Sequence, residues 1–345
     1  MNKLLWILVL IGALIFACSS TNNADKTQSK DENLQDVFTI NQSIGRGINL
    51  GNALEAPNEG DWGVVLKAEY FTLIKNAGFN SVRIPIRWSA HAQADSPFTI
   101  DSNFLQRVDW AIQQAFNNQL IAIINIHHYN ELFVQPQNHK QRFLAIWKQL
   151  SEHYQNYSQK LVFEILNEPH DQLTPELWND YLAEALHIIR QKNPNRAVIV
   201  GTANWGGVDA LQKLNLPEDE YLILTFHYYQ PFHFTHQGAE WVEGSNAWLG
   251  TKWLGSAEEV KAIQHDFDLV GQWATTHQIP VFMGEFGAYS KADMASRVRW
   301  TSTVARQAEQ RDFSWAYWEF CSGFGVFDPV KYVWHSELLK ALIPD

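Results

Sequence analysis

Eight short apolar runs constrain the fold of this 345-residue chain more than any other feature of its sequence. The runs are four to six residues long and rich in β-branched residues, and amphipathic segments with apolar residues every three or four positions separate them. Strands that are apolar on both faces are typical of a parallel sheet covered by helices. The predicted strands are Gly47–Leu50, Ser81–Ile86, Ile121–Ile126, Leu161–Leu166, Ala197–Val200, Tyr221–Phe226, Pro280–Met283 and Ser314–Trp318.

Eight consecutive βα units predict an α/β fold, a single-domain (β/α)8 TIM barrel. The fifth unit is the weakest, because only a short pattern around Val208–Leu214 lies between its strand and the next. No Gly-x-Gly-x-x-Gly segment follows any predicted strand, so nothing favours a dinucleotide-binding sheet.

The N-terminus predicts export and anchoring. Lys3 precedes an apolar stretch from Leu4 to Ala17, and its 14 residues fall short of the roughly 20 that span a bilayer. The Ile-Phe-Ala-Cys ending is similar to a bacterial lipoprotein signal, which implies that Cys18 carries lipid. We therefore expect a signal peptide at residues 1–17, a polar tether at 18–38 and the barrel at 39–345.

This organisation predicts a membrane-anchored lipoprotein, on an outer membrane or cell surface, with a soluble secreted or periplasmic protein as the alternative. We expect a monomer that meets the membrane only through Cys18. A net charge of -11 without a basic run argues against a nucleic acid partner. Cys321 would then be the only free thiol, and a lone Cys among aromatic residues is expected to be buried.

Polar residues follow the carboxyl ends of most predicted strands, where the open mouth of such a barrel lies. Each of them alone fits a buried structural role, but burying so many polar groups in one place without a function would be costly. The chain is also rich in Trp, Tyr and Phe, whose flat rings suit the apolar faces of sugars. These strand-end residues are Arg83, His127, His128, Asn167, Glu168, His227, Tyr229, Glu285 and Trp318.

The segments VRIPIRW, INIHHY, EILNEP, TFHYY, MGEFG and AYWEF resemble, in order, the signature of glycoside hydrolase family 5 between about Gly45 and Trp318. The resemblance implies a retaining hydrolase with Glu168 as acid/base and Glu285 as nucleophile, without cofactor or metal. Repulsion from Glu285 is expected to keep Glu168 protonated. The supporting residues that it implies are Arg83, His127, Asn167, His227 and Tyr229.

Two further segments, GRGINLGNALEAPNEGDWG and HYYQPFHFTHQGAEW, are similar to bacterial endoglucanases of that family. They imply internal cleavage of β-1,4-linked and mixed-linkage glucans, with side activity on glucomannan or mannan. Trp62, Trp88, Trp248 and Trp253 fit either the cleft or the clamping of loops. The expected substrate contacts are Asn52, Glu55, His128, Trp205, His236, Trp241 and Trp318.

Three alternatives stay open at this stage. A metal-dependent barrel could use His127 and His128, although adjacent strand residues point to opposite faces and chelate one ion poorly. A surface barrel that only binds polysaccharide would be free to lose the two acids, which are both present. An endo-β-1,4-mannanase or another family 5 β-glycosidase is the third alternative.

Overall fold

The computed structural model of the protein describes residues 35–344. The predicted signal peptide, Cys18 and most of the predicted tether lie outside the described residues. Eight parallel strands close into a barrel in which β1 pairs with both β2 and β8. The strands are β1 (Arg46–Asn49), β2 (Ser81–Ile84), β3 (Ile121–Asn125), β4 (Leu161–Glu164), β5 (Val198–Gly201), β6 (Leu222–Tyr228), β7 (Val281–Phe286) and β8 (Ser314–Tyr317).

The predicted (β/α)8 barrel is therefore confirmed, and so are all eight predicted strands. Their ends differ from the prediction mainly at β6 and β7, which run on to Tyr228 and Phe286. Between Phe226 and His227 the register of this strand pair shifts, and His227 comes to lie opposite Glu285. An irregularity of this kind re-aims side chains locally, and here it places an imidazole beside a carboxyl group.

Helices cover the outside of the barrel, with 3-10 turns in several loops. The predicted weak fifth unit is confirmed, because only a four-residue helical turn, Ala203–Gly206, and a 3-10 segment, Val208–Lys213, lie between β5 and β6. A two-stranded ribbon of β9 (Phe327–Asp328) and β10 (Val333–Trp334) precedes the last helix. The helices are α1 (Val37–Ile44), α2 (Ala68–Asn76), α3 (Ser102–Asn117), α4 (Asn130–Val134), α5 (Pro136–His153), α6 (Pro175–Arg190), α7 (Ala203–Gly206), α8 (Phe232–Thr235), α9 (Ala257–His277), α10 (Met294–Glu309) and α11 (Ser336–Leu342).

Helix α1 packs on inward-facing strand residues. Asp36 caps it by accepting a hydrogen bond from the backbone N of Thr39, 3.0 Å away. Helix α1 thus begins at Val37, two residues inside the segment 18–38 that was predicted as a tether. Val37 and Ile44 belong to one apolar cluster with Ile123 and other strand residues.

The interior of the barrel changes from apolar to polar along the strands. Side chains two residues apart on a strand point to the same face, so Glu164 follows the apolar Val162 on β4, and Asn125 follows Ile123 on β3. All four side chains are buried. This two-residue period builds a polar layer directly beneath the mouth. Among residues 35–344, no helix has the length and apolar character that crossing a membrane requires.

Candidate active site

Arg83 is the centre of the polar layer and is completely buried. Its Nε and Nη2 donate to the two carboxylate oxygens of Glu164 at 2.6 and 2.7 Å. Its Nη1 donates to Glu285 Oε1 at 2.6 Å and to Asn49 Oδ1 at 2.8 Å. Its Nη2 also donates to Asn167 Oδ1 at 2.7 Å. One guanidinium therefore fixes side chains from β1, β4, β7 and the turn after β4.

Glu285 lies near the end of β7 with both carboxylate oxygens held. Besides the Arg83 bond to Oε1, the Tyr229 hydroxyl donates to Oε2 at 2.9 Å. Nδ1 of His227 is 3.6 Å from Oε2, and Nε2 of His127 is 3.9 Å from Oε1. These contacts fix the direction in which the carboxylate faces the mouth.

Glu168 follows β4 and adopts the sparsely populated left-handed backbone conformation, with φ of 44°. Its Oε1 accepts a hydrogen bond from Nδ1 of His227 at 2.7 Å. His227 thus stands between the two carboxyl groups that the sequence singled out.

The titration of these groups follows from that contact. Burial lowers the pKa of the His227 imidazole, but the carboxylates of Glu285 and Glu168 outweigh burial and raise that pKa above its ordinary value. Burial raises the pKa of Glu168, but the hydrogen bond and charge of His227, together with Arg83, lower it overall. The expectation that repulsion from Glu285 keeps Glu168 protonated is therefore not met in this structure, because the hydrogen bond and charge of His227 favour the ionised form of Glu168.

His127 is neutral in this site, because burial and the neighbouring cations hold its pKa well below the ordinary value. The Oδ1 of Asn125 accepts from the backbone N of Ile86, so its Nδ2 is the donor to Nδ1 of His127, 3.1 Å away. The remaining proton of the ring is then on Nε2, which faces Glu285. The indole of Trp318 lies parallel to this imidazole, with ring centroids 5.6 Å apart.

Oxygens of Glu168 and Glu285 and a nitrogen of His227 lie within 4.8 Å of one another. This is the one group in the described part of the chain with the spacing of a metal site, and it does not include the predicted rival pair His127 and His128. Arg83 and Tyr229 already occupy both oxygens of Glu285, and the guanidinium charge opposes a cation there. The arrangement is better suited to moving protons and attacking an electrophile than to holding a metal.

Four of the expected substrate contacts are two exposed tryptophans and two buried or half-buried histidines in the loops that follow the strands. Trp205 and Trp241 are 57% and 61% exposed, which leaves most of each indole free to meet a ligand. The ring of His170 stacks on the indole of Trp205, with ring centroids 3.4 Å apart. The ring of Tyr289 makes an edge contact with the indole of Trp241, with ring centroids 5.0 Å apart. Burial lowers the pKa of both His128 and His236 to about 4, so both rings are neutral.

Glu55 does not occupy the expected position. Its side chain is buried and accepts hydrogen bonds from the backbone N atoms of Asn52 and Ala53, so it braces its own loop. Because both oxygens are used within the loop, the expectation of a sugar contact is wrong. Asn52 itself is half-buried, in the left-handed region with φ of 63°.

The four additional tryptophans divide between the two roles that were left open. Trp88 and Trp253 are fully buried, and Nε1 of Trp88 donates to the carbonyl of Asn125. Trp62 is 39% exposed and lines a pocket with Glu168. Trp248 packs against His233 in the loop after β6. Cys321 is buried, as expected.

Sequence reasoning missed the buried partners of Arg83, which are Glu164 and Asn49. Asn49 also donates through Nδ2 to the carbonyl of Gly284, which ties β1 to β7. The available signal was a charged residue inside an otherwise apolar strand, because Glu is almost never fully buried without a partner.

Comparisons with known proteins agree with this geometry. Endoglucanase H of Acetivibrio thermocellus is 39% identical over 313 residues, which cover 89% of this chain and 33% of that protein. Cellulase/esterase CelE of the same organism is 28% identical and covers 83% of this chain and 37% of its own length. The chain therefore spans about a third of the length of these two curated relatives.

A solved structure of Thermotoga maritima Cel5A, described as a complex with mannotriose, has 55% sequence identity and a TM-score of 0.88. It covers 89% of this chain and 100% of that chain. The family model described as Cellulase (glycosyl hydrolase family 5) matches residues 43–323, which include every strand of the barrel. The chain belongs to glycosyl hydrolase family 5.

Proposed function

We propose that the protein is a retaining endo-β-1,4-glucanase in which Glu285 is the nucleophile and Glu168 the acid/base. The observation that carries the proposal is the short distance between these carboxyl groups, whose oxygens come within 4.8 Å. Retaining glycosidases separate their carboxyl groups by about 5–5.5 Å, whereas inverting enzymes need about 6.5–9.5 Å to admit a water.

In the first step, Glu285 attacks the anomeric carbon and the bond to the leaving oxygen breaks, while Glu168 protonates that oxygen. The proton comes from Nδ1 of His227 through the 2.7 Å hydrogen bond. A sugar that displaces water from the mouth makes the charged pair of His227 and Glu168 less favourable. The proton then moves to Glu168, which becomes the acid when substrate is bound.

In the second step, ionised Glu168 takes a proton from water, and the water oxygen attacks the glycosyl-enzyme. The bond to Glu285 breaks, the carboxylate is restored, and the product keeps the β configuration. When the product leaves, the proton on Glu168 returns to Nδ1 of His227 through the same hydrogen bond. Arg83 and Tyr229 stabilise the carboxylate that leaves, through the contacts that hold it in the free protein. Asn167 is positioned by Arg83 to bond the sugar 2-hydroxyl.

The substrate that we propose is an internal stretch of β-1,4-linked glucan, including mixed-linkage glucan. The exposed indoles of Trp205 and Trp241 and the half-buried Trp318 offer several stacking surfaces along the mouth. Structures of Thermotoga maritima Cel5A are described with cellobiose and with mannotriose. We therefore propose side activity on glucomannan or mannan, since shape alone discriminates such sugars by only about ten- to two-hundredfold.

Two measurements test the proposal. The viscosity of a carboxymethylcellulose solution should fall steeply before many reducing ends appear. The rate of hydrolysis on a panel that includes mannan and glucomannan shows which polysaccharide backbone the enzyme prefers. Proton NMR of early hydrolysis should show the β-anomer first. Glucose release without loss of viscosity would contradict endo cleavage, and an initial α-anomer would contradict retention.

We also propose that the protein is monomeric and is held at an outer membrane or cell surface by lipid on Cys18. The lipid anchor is supported by the apolar stretch that precedes Cys18 and by the polar segment that follows Cys18 in the sequence. Two or more acyl chains give stable anchoring where a single chain does not. Intact mass of the native protein should show a lipidated chain beginning at Cys18, and Cys18→Ser should release active enzyme. An unlipidated mature chain would contradict the anchor.

A further inference from the structure

A pocket of about 260 Å³ lies beside Glu168 at the mouth of the barrel. This exceeds the space of a few water molecules, each of which takes about 30 Å³. Indoles of Trp62 and Trp205 are among its walls, together with Arg87, His128 and Asn130. Two flat rings with polar groups between them form a surface that suits one sugar unit.

Arg87 is the unusual member of this wall. Its side chain is half-buried, yet within residues 35–344 its guanidinium has no hydrogen-bond or ion-pair partner. Every other arginine in that range donates to a carboxylate or a carbonyl, as Arg107 does to Glu59 and Arg142 to the carbonyl of Ala92. A cation that is partly removed from water without a partner is poised to accept an anionic group.

The guanidinium gives this wall a fixed positive charge, and Glu168 is the carboxyl group in the same lining. His128 is neutral because burial and the nearby Arg87 lower its pKa to about 4. The chain as a whole carries a net charge of -11, so general attraction of anions does not operate. Recognition of an anion here would depend on direct contact with Arg87.

The pocket also has a defined place relative to the bond that is cleaved. It borders the cleavage point through the acid/base Glu168 and its neighbour Asn167, and includes neither the nucleophile Glu285 nor Trp318. A sugar in this pocket therefore lies beyond the carboxyl group that protonates the leaving oxygen, on the side of the leaving group.

We propose that this pocket is a leaving-group subsite in which Arg87 binds a carboxylate carried by the sugar, so that the enzyme favours β-glucans with uronate or other carboxylate substituents there. Trp62 and Trp205 flank the ring while the guanidinium forms a charge-assisted pair with the substituent. The inference rests on the proposed glucanase function and extends its substrate class.

The test compares cello-oligosaccharides with the same oligosaccharides carrying a single glucuronate in place of one internal glucose. The ratio of kcat/KM for the charged substrate to that for the neutral one should fall about tenfold in Arg87→Gln. Arg87→Lys should recover part of the ratio. Lys160→Gln removes a positive charge at an exposed position just before β4 and should leave the ratio as in the wild type.

Mass spectrometry of the wild-type products should place the glucuronate at the new non-reducing end of the released fragment. An equal loss on both substrates in Arg87→Gln, or a glucuronate found only in the other fragment, would overturn the inference. A wild type that cleaves neither substrate would overturn the glucanase proposal itself, whereas cleavage of the neutral oligosaccharide with no preference for charge would overturn the subsite alone. Unfolding curves of each variant show that loss of ratio does not come from loss of fold.

Discussion

Nδ1 of His227 lies 2.7 Å from Oε1 of Glu168, close enough for one proton to belong to either group. The same nitrogen is 3.6 Å from Oε2 of Glu285, so a single imidazole contacts both carboxyl groups of the proposed mechanism. The pKa of His227 is raised and that of Glu168 lowered, as expected when the imidazole holds the proton in the free enzyme.

We expect His227→Asn to move the basic limb of the kcat/KM profile to lower pH. In the wild type the shared proton rests on the His227 imidazole, whose pKa is raised above about 6.5, and the proton is lost as the pH rises through this raised pKa. In the variant the proton must instead be held by the Glu168 carboxyl group, and a carboxyl group has an ordinary pKa of about 4.3. Activity should fall by about 10²- to 10⁴-fold at the optimum.

His153→Asn is the matched control, because that imidazole pairs with Asp109 between helices α3 and α5, outside the barrel. Its pH profile should match that of the wild type. An unchanged basic limb in His227→Asn would show that His227 does not supply the proton.

The roles of the two acids can be separated by azide. Glu285→Ala should lose at least about 10³-fold in activity, and azide entering the space of the carboxylate should give an α-glycosyl azide. Glu168→Ala should keep its kcat/KM on substrates with good leaving groups, because forming the glycosyl-enzyme then needs no proton. Its kcat should fall because the base for the second step is missing, and azide should restore turnover by giving a β-glycosyl azide from the glycosyl-enzyme. Products of the opposite configuration would reverse the assignment.

The sequence could predict the barrel because apolar runs buried on both faces repeat eight times. The sequence also predicted that Arg83, Glu168, His227 and Glu285 lie at one mouth of the barrel, since the carboxyl ends of parallel strands all lie on the same side. These predictions depend on the periodicity of strands and on order along the chain, which a sequence displays directly.

The direction of a loop side chain depends instead on contacts that the sequence does not display. Glu55 turns back to accept from its own loop, and the half-buried Arg87 stands without a partner in the described residues. The raised pKa of His227 was equally hidden, because it depends on the register shift after Phe226 that sets the imidazole opposite Glu285 and on the contact with Glu168. Glu164 could have been found as a charge within a buried strand.

Two buried acids that repel each other, Glu55 and Glu319, should make stability depend on pH. Burial raises the pKa of Glu55 to about 8 and that of Glu319 to about 7, although backbone N–H groups donate to both. The folded protein therefore keeps protons that the unfolded chain loses above about pH 4.3. Stability must fall as pH rises from there through about 8. Each carboxyl group that is protonated only in the folded state lowers the free energy of unfolding by about 1.4 kcal/mol for every tenfold drop in proton concentration.

Urea unfolding between about pH 5 and 9 measures this slope. Glu55→Gln removes one of the titrating groups and should flatten the slope, whatever its effect at a single pH. Glu220→Gln, at an exposed position, should leave the slope as it is. Equal slopes in wild type and Glu55→Gln would contradict the raised pKa.

The Arg83 and Glu164 pair predicts a strong energetic coupling beneath the mouth. Both side chains are buried, and the guanidinium donates to both oxygens of the carboxylate at 2.6 and 2.7 Å. Arg83→Met would leave Glu164 as an unpaired buried charge and would remove the guanidinium partner of Glu285, so we expect a loss of about 3–5 kcal/mol in the free energy of unfolding. Glu164→Leu alone should also destabilise the protein, because it leaves part of the guanidinium without an acceptor.

The double variant Arg83→Met/Glu164→Leu should lose less stability than the sum of the two single variants, because Glu164→Leu removes the carboxylate that Arg83→Met alone leaves unpaired. We expect a coupling of about 0.5–3 kcal/mol from urea unfolding at neutral pH. Arg83 lowers the pKa of Glu164 despite burial, so this stabilisation is present above about pH 4.3 and is lost as pH falls through the folded pKa below it. The exposed pair Lys148 and Glu152, taken through the same cycle, should couple by less than about 1 kcal/mol. Simple additivity for Arg83 and Glu164 would mean that the two groups are held independently and that the polar layer beneath the mouth is not one network.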